Sequence, residues 1–143
     1  MAESAPAEVE GRVAKQVGGC GYFALVRACL TPEDSVSVKA EPSALDEYDR
    51  GQGWLEAAEY GAALGMELAA KTGCCNLIRV RGMVCDTSPA LVAIAAIRAV
   101  WTAVAFKPAP ERTDEMEKCI LSGHALSMEE LASRLRLAIG TAT

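Results

Sequence analysis

Apolar and polar residues alternate over "GRVAKQV", where Val13 and Val17 frame Lys15, and this two-residue period predicts a strand over residues 11–17. A second run, "YFALVRACL", is rich in β-formers and long enough for a strand over 22–30 covered on at least one face. The short connection "VGGCGY" predicts an antiparallel hairpin, because its glycines reach the positive φ such a turn needs. "TPEDS" then breaks the chain, and "SVSVKA" alternates again as a third strand over 35–40.

After the polar stretch "EPSALDEYDRGQG" the period becomes helical, with Trp54, Ala57, Ala58, Gly61, Leu64, Gly65 and Leu68 on one face. Gly61 and Gly65 each weaken a helix by about 1 kcal/mol relative to alanine, so close packing against a sheet is the expected reason for them. Gly73 is placed to end this helix. "CNLIRVRGMVC" predicts a fourth strand over 75–85, with Leu77, Arg79 and Arg81 on one face and Ile78 and Val80 on the other. "DTSPAL" offers Thr87 or Ser88 as N-cap with Pro89 at the first helical position. The helix over 89–106 is apolar almost all round and should be the most buried element. "KPAPERTD" is a linker, 113–121 a short helix, and "SMEE" a capping box that opens a last helix reaching about residue 139. The order ββ, β, α, β, α with a helical tail is an α+β pattern. It divides the chain into a loose leader (1–10), a domain (11–106) and a helical C-terminal extension (107–143).

Composition narrows the function classes. The 51% hydrophobic content suits one domain with its own core rather than a disordered chain. With 19 acidic against 14 basic side chains, the net charge of -5 opposes strong nonspecific attraction to phosphate backbones, although a local basic patch stays open. The acidic start "MAESAPAEVE" has no apolar leader, so the six cysteines are expected as free thiols in a reducing cytoplasm. Arg98 near the middle of the 89–106 segment marks a core helix rather than a membrane span.

Three stretches resemble one family. The hairpin "KQVGGCGYF", the helix "WLEAAEYGAAL", and above all "VCDTSPALVAIAAIRAVW" are similar, in this order and spacing, to the fourth domain of bacterial elongation factor G. That domain also occurs in related translational GTPases and tetracycline-resistance ribosomal protection proteins; here it would be freestanding. The resemblance implies a two-layer sandwich, a four-stranded sheet packed on two helices, with a left-handed βαβ crossover against the general rule. It implies contact with the ribosome or a translation factor, in regulation or drug protection. The sequence departs from the family where function sits. It has no GxxxxGK[ST] phosphate loop, and hence no GTPase engine. Cys20 stands in the first tip loop where an arginine is common, Lys71 is the only charge in "AKTGCCN", and neither tip carries a histidine.

The resemblance also implies that the hairpin turn and the loop before the fourth strand lie side by side, so that Cys20 faces Cys74 and Cys75. With Lys71 as the nearest cation, these thiols are the catalytic candidates, as nucleophile or reversible disulfide. The competing reading is that they fill space as small apolar groups. The spacing fits no zinc motif, and no metal or cofactor is expected. Cys29, Cys85 and Cys119 are expected to be buried packing residues, and His124 a surface residue. Arg27, Lys39, Arg79 and Arg81 share one sheet face, as an anion or RNA patch or as a solvated surface. The stretch Asp46, Glu47, Tyr48, Asp49 and Arg50 is either an acid/base site or an ordinary polar loop. If the fold has been recruited outside translation, the alternative is a small enzyme or small-molecule binder, for example in natural-product biosynthesis or self-resistance. No membrane partner is expected, and the sequence leaves oligomeric state open.

Overall fold

The hairpin is the first unit of the fold. In the computed structural model, which describes residues 8–83 and 85–139, β1 (Glu8–Val17) and β2 (Cys20–Thr31) pair antiparallel with Val17 opposite Cys20. Gly18 takes φ of 61° in the turn, a conformation that favours glycine. β3 (Val36–Ala40) follows, then a 3-10 segment at Glu47–Gln52, helix α1 (Trp54–Ala69) and β4 (Gly73–Arg81). β4 inserts beside β2, antiparallel to it and parallel to β3, so the sheet order is β1-β2-β4-β3 and α1 is the crossover between adjacent parallel strands.

One irregularity decides which side chains face the core. The β2–β4 register steps from Arg27 opposite Arg79 to Ala28 opposite Leu77, leaving Ile78 as an extra residue on β4. Such a bulge resets the two-residue alternation. Leu77 is therefore fully buried with Cys75 and Val80, whereas simple alternation groups it with Arg79 and Arg81. β4 also ends at Arg81 rather than at residue 85, so Cys85 lies exposed in a loop. Beyond Arg81 the chain keeps hold of β2 by other means. Phe23 N–H donates to the Asp86 carbonyl at 2.8 Å, and the Thr87 hydroxyl donates to the Phe23 carbonyl at 2.6 Å.

α2 (Pro89–Ala103) is buried on nearly every side, as its sequence predicts. Ser88 caps it, accepting from Leu91 N–H and donating to the Gly123 carbonyl at 2.8 Å. Gly61 and Gly65 are explained by this helix and not by the sheet. A Cβ at Gly61 would overlap the Ala93 backbone, and at Gly65 it would lie 3.2 Å from Ile97 Cα. Trp101 Nε1 donates across the same seam to the Gly65 carbonyl at 3.0 Å.

The extension shares this core. α3 (Pro110–Leu121) and α4 (Met128–Ile139) bury Met116, Cys119, Ile120, Leu131 and Leu135 in the hydrophobic cluster that contains α1 and α2. The capping box forms as predicted: Glu130 N–H donates to Ser127 Oγ at 3.1 Å and Ser127 N–H to Glu130 Oε1 at 3.3 Å. Arg136 on α4 makes a two-point contact with Glu67 on α1, at 2.6 and 2.8 Å. Among the described residues no helix is long and apolar enough to cross a membrane.

Candidate functional site

The thiols expected to meet lie at opposite ends of the sheet. Cys20 begins β2, whereas Cys74 and Cys75 pair with Thr31 and Leu30 at its far end. Those positions are roughly 35 Å apart at about 3.3 Å per residue of strand. The cause is topological. Because β3 and β4 are parallel and joined by α1, the loop entering β4 returns to the β2–β3 connection, where the Thr72 hydroxyl donates to the Glu33 carbonyl at 2.6 Å. Lys71 is exposed in that same loop and is equally remote from Cys20.

The buried thiols are poor nucleophiles. Burial, reinforced by neighbouring Cys74 and Cys29, pushes the Cys75 thiol up to about 12, so it stays protonated at neutral pH. Burial likewise raises Cys29, helped by Glu8 and Glu41, and it raises Cys119. Of the three cysteines expected in the core, Cys119 is buried, Cys29 half-buried and Cys85 exposed.

At the hairpin end a different set of residues gathers. Tyr22 stacks on His124 with ring centroids 4.9 Å apart, and His124 Nε2–H donates to the Gly21 carbonyl at 2.9 Å. The Asp86 carboxylate occupies the space over Gly21 that a Cβ would need. Cys20 donates weakly to the Gly21 carbonyl at 3.9 Å, and its hydrogen bond with Tyr22 is the main cause that raises the phenol's pKa. His124 is exposed, as expected, yet it ties the extension to the hairpin. The one sequence signal for this arrangement is "DTS", which by itself reads only as a helix start.

The charged sheet face does assemble. Arg27 lies directly opposite Arg79, and Leu25 is flanked by Arg12 on β1 and Arg81 on β4. Leu25 points away from the helices and is still only 8% exposed, because long arginine side chains cover it. A shallow cavity of about 310 Å³ lined by Leu25, Arg27, Ser43, Ile78, Arg79 and Arg81 marks the place. Like charges directly across strands repel, and here each has its own counter-ion. Arg27 pairs with Glu10 at 3.4 Å and Arg79 with Asp46 at 3.0 Å. Arg81 has no ion pair among the described residues, and neither does Lys39, which lies opposite Asn76.

The acidic stretch contributes Asp46 to this face, with Glu47, Asp49 and Arg50 in the 3-10 segment. The Tyr48 side chain lies outside the described residues. Among the described residues no three His, Cys, Asp or Glu side chains are grouped so as to hold a metal ion.

The chain matches no protein-family model and no curated protein sequence. It does match the crystal structure of ttk003000868 from Thermus thermophilus, with a TM-score of 0.54 and 21% identity over 68% of this chain. The match spans only 15% of that protein, so the shared fold is one part of a much larger chain.

Proposed function

We propose that this protein is a translation-associated binding module, similar to the fourth domain of elongation factor G, which contacts the ribosome or a translation factor through its open sheet face. The observation that carries the reading is the arginine cluster. Arg27, Arg79 and Arg81 line one depression around Leu25, with Arg12 beside it across β1, on a protein whose net charge is -5, and Arg81 has no carboxylate partner among the described residues. Guanidinium groups so placed match phosphate and carboxylate geometry. The order of elements supports the kinship, as does the occurrence of the fold as a small part of a larger solved chain.

The partial pairing of the face with Glu10 and Asp46 sets the strength. Binding has to compete with internal carboxylates, so it should be weak and steeply dependent on salt. Sedimentation with purified ribosomes tests this. The wild type should pellet with ribosomes at low salt and be released as salt rises, and the double charge reversal Arg79→Glu/Arg81→Glu should remain in the supernatant while keeping its fold. A wild type that stays wholly in the supernatant at low salt overturns the reading.

A further inference from the structure

A second concavity adjoins the arginine face along the edge strand β1, sharing Glu10 and Arg12 with it. The end of α2, the edge strand β1 and helix α3 enclose a cleft of about 630 Å³, well within the range of roughly 300–1,000 Å³ typical of small-ligand sites. Its walls follow from local structure. Ala105 takes φ of 55° just after α2, which lets Phe106 N–H donate back to the Trp101 carbonyl at 2.9 Å. That turn sets the Phe106 ring edge-on to Trp101 with centroids 5.1 Å apart, and Met116 of α3 closes the apolar wall.

The charge in the cleft is not balanced. Arg98 reaches it from α2 with its side chain 31% exposed, donating from Nη1 to the Arg12 carbonyl at 2.9 Å and standing 3.6 Å from Glu117 through Nη2. Glu117 is shared, because its other oxygen pairs with Lys15 at 3.3 Å. Glu10 on the rim is engaged with Arg27 on the outer face, while Lys107 adds a further cation to the lining. A guanidinium carries five N–H donors, so Arg98 keeps several for a ligand.

We infer that this cleft binds a small planar apolar anion of the aromatic carboxylate class, its ring against Trp101, Phe106 and Met116 and its carboxylate on Arg98. The inference does not rest on the ribosome-binding reading: the two sites share Glu10 and Arg12, but the groups that would hold this ligand, Arg98, Trp101, Phe106 and Met116, lie outside the arginine face. Titration of the full chain with 2-naphthoate, followed by Trp101 fluorescence and by calorimetry, tests it against the neutral isostere 2-naphthamide. Naphthoate should bind saturably at 1:1 and about tenfold or more tighter than the amide, as expected for a charge-assisted hydrogen bond. Arg98→Gln should erase that difference. Thr102→Trp, which fills the mouth from an exposed position on α2, should abolish binding of both while leaving circular dichroism unchanged. Absence of saturable naphthoate binding, equal affinity for acid and amide, or undiminished binding by Thr102→Trp overturns the inference.

Discussion

Ala70 and Ala105 hold φ of 53° and 55° at the ends of α1 and α2, where glycine is the usual residue. A left-handed conformation costs a residue with a Cβ about 1–2 kcal/mol, offset in part by the lower unfolded-state entropy of alanine. Ala70→Gly should therefore stabilise the protein by roughly 0.5–1 kcal/mol, read from a rise in denaturation midpoint. Gly61→Ala should do the reverse. Its new methyl would overlap the Ala93 backbone, which cannot rotate away, so a loss of about 1–3 kcal/mol is expected. Cys75 gives a pH signature. Its thiol is raised from the ordinary value near 9 to about 12, so the folded state keeps a proton that the unfolded state gives up. The contribution is complete below about pH 9 and is lost as pH rises toward 12, where linkage favours the unfolded chain. Stability measured across that interval should fall less steeply in Cys75→Ala than in the wild type.

At the scale of elements, local chemistry was the more legible part. Period and capping residues located each described strand and α-helix, because caps such as Ser88 and the Ser127/Glu130 box act within one turn of chain. They did not locate the two 3-10 segments or all of the ends: Ala70 rather than Gly73 ends α1, β1 reaches back to Glu8 and α3 to Pro110. Ser127→Ala should cost about 1 kcal/mol, measurable by thermal denaturation. What the sequence left hidden depended on pairing between distant segments. The bulge at Ile78 has no local marker, yet it decides that Leu77 goes inward and the arginines outward. The separation of Cys20 from Cys74 and Cys75 follows from β4 inserting between β2 and β3, which no alternation pattern encodes. The arginine face was legible because residues two apart on a strand share a side whatever the neighbour. The hairpin-end group was not, since Asp86 and His124 reach it from loops far apart in the chain.

Over the whole molecule, the question is whether the extension is an attachment or part of the fold. Arg136 holds Glu67 below the usual carboxylate range, and both groups are largely exposed, so the pair contributes little and is screened by salt. Its contribution is present above the unfolded pKa of Glu67 and fades as pH falls through the lower folded value. The apolar contacts weigh far more. Met116, Ile120, Leu131, Leu135 and Ile139 are each 3% exposed or less, and burying side chains of this kind stabilises by about 1.5–3 kcal/mol apiece. Their sum, on the order of 10 kcal/mol, is comparable with the entire net stability of an ordinary domain. Deleting residues 107–143 would also bare the side of α2 that these helices cover. The truncated chain should therefore lose cooperative thermal unfolding and bind a hydrophobic dye; a sharp transition near the full-length midpoint would instead make the sheet and its two helices self-sufficient and the extension an accessory.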